Sequence, residues 1–127
     1  MREQAALWWE QAKHDLDTAD YLLAGERLDA AAFYFQQAVE KGLKARYIDA
    51  KRESPGAIHS LTRLGRECGV PGRFSSFLRQ LTGEYYLSRY PDATGDVPHE
   101  AYDVQGVQDI QRLAHEVIEW LEQQTSR

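Results

Sequence analysis

Residues 29–50, DAAAFYFQQAVEKGLKARYIDA, constrain the fold more than any other stretch of this chain. They hold strong helix formers and no proline, and apolar side chains fall on nearly every side of the first half. A helix with that pattern is one that its neighbours surround. Asp29 is placed to cap its start, where a carboxylate accepts from free backbone N–H groups and opposes the positive end of the helix dipole. Phe33, Gln37, Glu40, Lys41 and Lys44 follow spacings of three and four, so a polar stripe runs along an otherwise apolar rod. That stripe is the first candidate for function.

The flanking segments supply partners for such a rod. Over residues 3–24, Ala5, Trp8, Ala12, Leu16, Ala19 and Leu23 share one helical face, while Glu10, Lys13, Asp17 and Asp20 lie largely away from it. Trp8 and Trp9 point about 100° apart, so one can enter the core while the other sits at its margin or at an interface. Gly25 is expected to close this helix as a left-handed cap. Beyond the central stretch, Ser54-Pro55-Gly56 forms a loop, a short helix over 59–68 carries Leu61 and Leu64, and a fourth helix over 73–88 carries Phe74, Phe77, Leu78, Leu81 and Tyr85. Gly83 weakens that fourth helix. Residues 90–102, YPDATGDVPHEAY, form the longest loop, and Asp103 caps a last helix built on Val107, Ile110, Ala114, Val117 and Leu121. No strand-like alternation and no repeat appears. The expected fold class is all-α, an antiparallel up-and-down bundle of four long helices plus one short helix.

At 127 residues, with 43% hydrophobic and 28% charged residues, the chain is expected to be a single soluble domain spanning 1–127. The single Cys68 cannot form a disulfide within the chain and reads as a structural thiol. With no charged-then-apolar signal segment and no run of about 18 apolar residues, the expected location is the cytoplasm, away from membranes. The net charge of −5 argues against a general nucleic-acid coat, and no DNA binding is expected, yet the charge is unevenly spread. Residues 1–40 carry three basic and eight acidic side chains, residues 41–89 ten and four, and residues 90–127 two and eight. A basic middle third can focus a field on a phosphate-bearing ligand or an acidic partner, or simply pair with the acidic helices.

The run AAFYFQQAVEKGLKA at 31–45, HSLTRL at 59–64, YYLSRYPDA at 85–93 and DLDTADYLL at 15–23 together resemble the HEPN domain family, the higher eukaryotes and prokaryotes nucleotide-binding domain. The resemblance spans nearly the whole chain. It implies a small helical bundle, often dimeric, that is proposed to bind nucleotides and is often encoded beside a minimal nucleotidyltransferase, some such pairs being toxin and antitoxin. Many members are metal-independent ribonucleases marked by an arginine, four to six intervening residues and a histidine. In such a site arginine stabilises the phosphorane charge and histidine handles the proton. Here Arg89 is followed by His99 after nine residues, which departs from that pattern, whereas Arg52 and His59 have six between them. With eleven arginines and four histidines, chance alone predicts roughly one match.

Two groups of residues therefore stand as ligand-binding candidates: Gln37, Lys41 and Lys44 on the central stripe, and Tyr85, Arg89, Tyr90 and Asp92 beside the long loop. Aromatic faces with a guanidinium can stack a base and grip phosphate, though an Arg89–Asp92 pair can equally lock the loop, and Glu40 with Lys44 can be an ordinary helix pair. His59, at the start of its helix, is better suited to a capping or packing role. Arg52 and His59 are the catalytic candidates of the ribonuclease alternative. No paired His or carboxylate spacing points to a metal, and no cofactor is implied.

Overall fold

The computed structural model describes residues 1–91, 95 and 97–125. Three long helices dominate: α1 (Glu3–Ala24), α2 (Leu28–Lys51) and α6 (Val104–Thr125). Between α2 and α6 lie the short helices α3 (Leu61–Glu67), α4 (Ser75–Thr82) and α5 (Glu84–Leu87), with 3-10 turns at Gly72–Phe74 and Pro98–Glu100. Among the described residues there is no strand, and the chain is the all-α bundle its periodicity predicts.

The α1–α2 pair is built on alanine. Ala5, Ala12 and Ala19 of α1 and Ala31, Ala38 and Ala45 of α2 recur every seven residues, and all six are fully buried. Small side chains at that spacing let two antiparallel helices lie close along their length. The open end is tied by Arg2, whose N–H donates to Asp49 Oδ1 at 3.0 Å. Helix α2 is the central one, packed against α1, α3, α5 and α6. At Gly42 three helices meet: a Cβ there would come 2.9 Å from Ile118 Cδ1, 3.2 Å from Leu121 Cδ1 and 3.6 Å from Trp9 Cζ3. Trp9, rather than Trp8 of the expected stripe, is thus the buried tryptophan, because it is the one that reaches this crossing.

Local chemistry shifts several boundaries. Gly25 has φ −88° and Glu26 takes the left-handed position at φ 57°. The Arg27 N–H then bonds Leu22 O, and the Glu26 N–H bonds Leu23 O, each at 2.9 Å, which is the double closure of a Schellman turn. Asp29 does not cap α2, which begins one residue earlier after Arg27, a residue with no side-chain cap bond. It lies in the first turn and opposes the dipole there. The helix expected over 73–88 is divided at Gly83. Thr82 Oγ1 donates back to Leu78 O at 2.8 Å and accepts from Leu61 N at 3.1 Å, and the Gly83 N–H turns to Gln80 O, three residues back. A back-bonded threonine beside a glycine is a recognised place for a helix to step. Asp103 does cap α6, accepting from Gly106 N at 2.6 Å.

Cys68 is buried and donates to Leu43 O at 3.3 Å. Burial pushes its thiol up to about 11, so it is neutral at physiological pH and packs as a small apolar group. No helix among the described residues is long and apolar enough to cross a membrane.

Candidate functional site

One face of α2 is polar and yet buried. Glu40 and Lys44 are only 7% and 5% exposed. Lys44 Nζ donates to Glu40 Oε2 at 3.2 Å, and Gln36 Nε2 donates to Oε1 at 3.0 Å. Toward α1, Lys41 Nζ donates to Asp15 Oδ2 at 2.5 Å and to Gln37 Oε1 at 3.2 Å, while Gln11 Nε2 donates to Asp15 Oδ1 at 2.9 Å. Lys44 Nζ also stands 5.5 Å from the centre of the Trp8 ring. Gln37, Lys41 and Lys44 are therefore engaged in this seam, their polar atoms already matched by protein groups.

The second group gathers where the stripe begins, at Phe33. The Arg89 guanidinium carbon lies 4.6 Å from the Phe33 ring centre, 4.4 Å from that of Tyr85 and 5.0 Å from that of Tyr90. Its Nε donates to Tyr85 O at 3.1 Å and its Nη2 to the Tyr90 hydroxyl at 3.2 Å. These contacts fix the side chain while leaving it exposed, and among the described residues it has no carboxylate partner. A cleft of about 410 Å³ opens beside it, between Phe33 and Tyr34 of α2, Ser88 and Arg89, and Pro98 and His99 of the second 3-10 turn, with Asp29 and Ala30 completing the wall.

His59 does not cap α3. Ser60 does, accepting from Arg63 N at 3.2 Å, because the residue just before the helix is the one whose short hydroxyl reaches the third N–H. His59 instead places Nδ1 3.5 Å from Glu40 Oε2 and its ring 6.3 Å from that of Tyr85. Arg52 ends α2 in the left-handed conformation, φ 60°, and no hydrogen bond or ion pair joins it to His59. Arg89 and His99, by contrast, line one cleft. Asp92 lies outside the described residues. Among those residues no cluster of His, Cys, Asp or Glu is placed to hold a metal ion.

Sequence spacing missed Asp15, which sits on the buried face of α1 four residues after Gln11, and set aside His99, nine residues beyond Arg89, which a proline-led turn brings back to α2. A further polar pair also escaped it. Glu84 is buried and accepts from the Tyr102 hydroxyl. Burial raises the Glu84 carboxyl above its ordinary value, partly opposed by that hydrogen bond, and burial likewise raises the Tyr102 phenol. A raised folded-state carboxyl gives stability that is complete below the unfolded value and declines as pH rises through the window between the two. Glu84→Gln, which still accepts from Tyr102 but cannot ionise, is thus expected to raise the melting temperature near neutrality, with the advantage vanishing in acid. Melting curves of both proteins across pH 3 to about 8 check this, and equal curves at every pH contradict it.

The chain belongs to the HEPN domain family, whose model matches residues 5–124. It is similar to the crystal structure of TT1696 from Thermus thermophilus, with 28% identity over 96% of this chain and 98% of that one and a TM-score of 0.85. It is also similar to ST0689, an archaeal HEPN homologue, with 28% identity, 98% of each chain covered and a TM-score of 0.77. No curated protein sequence matches it.

Proposed function

We propose that residues 1–127 act as one HEPN unit that binds a nucleotide at the Arg89 cleft, pairs with a second copy and works with a minimal nucleotidyltransferase partner, as in a toxin–antitoxin pair. One observation carries the nucleotide reading: a guanidinium held by three aromatic rings beside a cleft and ion-paired to no carboxylate among the described residues, Asp29 of the cleft wall included. Rings offer a base a stacking surface, and a fixed guanidinium offers phosphate a fork of donors. Leu7, Tyr21 and Tyr86, exposed by 68%, 81% and 60%, leave apolar surface for the pairing. A second reading, metal-independent RNA cleavage, is favoured by His99 sharing that cleft with Arg89.

Calorimetric titration with a nucleotide panel tests the first reading. Arg89→Ala is expected to weaken binding by about 1–3 kcal/mol through lost charge-assisted hydrogen bonds, with little change in melting temperature because the side chain is exposed. Unchanged affinity with a sharply lowered melting temperature makes Arg89 a structural lock instead. Turnover of single-stranded RNA without metal, lost in His99→Ala, decides for the enzyme.

A further inference from the structure

A second concentration of positive charge lies on and around the short helices α3 and α4. Residues 61–82 carry four arginines and one carboxylate, and that carboxylate, Glu67, is already engaged by Lys51 at 3.4 Å. All four lysines of the chain are ion-paired, yet Arg63, Arg66, Arg73 and Arg79 are exposed and have no carboxylate partner among the described residues. Their placement follows from one close contact. Gly65 lets α3 approach α4 so nearly that a Cβ there would stand 2.7 Å from Leu78 Cδ1, and the next residue on each helix, Arg66 and Arg79, then lines one cleft of about 280 Å³. Thr62 and Ser75 add hydroxyls, Val70 and Leu78 give an apolar floor, and no carboxylate among the described residues lines it.

We propose that this cleft is an anion site for a chain of phosphates, the backbone of a single-stranded nucleic acid, distinct from the Arg89 cleft. Arginine suits the task because its planar fork meets phosphate oxygens two at a time and keeps its charge at any physiological pH. Two further exposed arginines do not line the cleft but are its neighbours in the chain: Arg63, about one turn before Arg66 on α3, and Arg73, stacked 4.5 Å over the buried Phe74 ring; a polymer that runs past the cleft has a use for such groups that a lone phosphate has not. With a net charge of −5, the chain can attract such a strand only through a local concentration of arginine, not through its overall charge.

Fluorescence anisotropy of a labelled oligouridylate, titrated across a salt series, tests it. Wild type is expected to bind at low salt. Arg66→Ala/Arg79→Ala loses about tenfold or more in affinity and about 1.4 from the log–log salt slope, at roughly 0.7 per phosphate contact on a single strand. Arg27→Ala/Arg112→Ala, with the same change in net charge on other elements, keeps both. Inorganic polyphosphate that displaces the oligonucleotide while oligodeoxythymidylate and oligouridylate bind alike supports backbone recognition. Tight polyphosphate binding with no oligonucleotide binding overturns the nucleic-acid assignment, and equal competition by a poly-glutamate peptide reduces the site to unspecific charge. Absence of oligonucleotide binding by wild type, or an equal loss in the Arg27/Arg112 variant, overturns the proposal. Because nucleotide binding at Arg89 is measured separately, either reading can fail alone.

Discussion

Glu40→Ala is expected to destabilise the protein by about 3–5 kcal/mol, the range for removing one partner of a buried ion pair, and to lower its melting temperature by about 10–20 °C. Two groups lose their acceptor at once, Lys44 Nζ and Gln36 Nε2, and His59 Nδ1 loses a carboxylate neighbour at 3.5 Å. Lys44 bears most of the effect. At 5% exposure it cannot regain water, and the Trp8 ring 5.5 Å away is too weak a partner for a cation to replace a carboxylate. A surface pair at the same spacing would contribute only about 0.3–0.5 kcal/mol. The double variant Glu40→Leu/Lys44→Met separates the two causes, because removing both charges into an apolar site is often neutral or stabilising. Near-wild-type melting of the double variant beside a collapsed single variant identifies the orphaned charge, whereas a loss below about 1 kcal/mol in the single variant places Glu40 among ordinary surface pairs.

Much of the fold is legible in the sequence, since α1, α2 and α6 each carry an uninterrupted 3.6-residue apolar pattern that only burial against neighbours can satisfy. The errors are local and have local causes. Trp8 and Trp9 both fit a stripe of that period, and only the crossing at Gly42 decides between them. Gly25 and Glu26 compete for one left-handed position; glycine is favoured there by sterics, but the hydrogen bonds from Glu26 and Arg27 to Leu23 and Leu22 fix the turn one residue later. Thr82 divides the fourth helix through a bond to Leu61, 21 residues away in sequence, and no window of residues reports a contact of that range.

The candidate site is less legible for a related reason. Gln37, Lys41 and Lys44 stand out as a polar stripe whether they meet a ligand or a neighbouring helix, and Asp15, which takes up Lys41, lies 26 positions away. Arg89 is flanked by tyrosines in the sequence itself, so its aromatic setting is visible there, but the Phe33 ring beneath it is not. His99 joins that cleft because the 3-10 turn at Pro98–Glu100 returns the chain to the start of α2. Spacing rules count residues along the chain and are blind to such a return.

Phe35→Ala carries the second large expected effect, again about 3–5 kcal/mol. Phe35 is fully buried in α2, the helix that α1, α3, α5 and α6 surround, so no free side exists from which a neighbour can collapse into the space left by the ring. The loss then contains both the transfer of the ring and the cavity that persists. Urea denaturation should show a lower midpoint with an unchanged slope, since the same surface is still exposed on unfolding. Phe33→Ala, two residues earlier, provides the contrast. Its half-buried ring borders the Arg89 cleft, so its removal should lower stability far less while freeing the guanidinium that stands 4.6 Å above it. A comparable fall in the urea midpoint for both variants would mean that Phe33 is core, and the aromatic platform under Arg89 would then be part of the bundle's packing and no separate surface for a ligand.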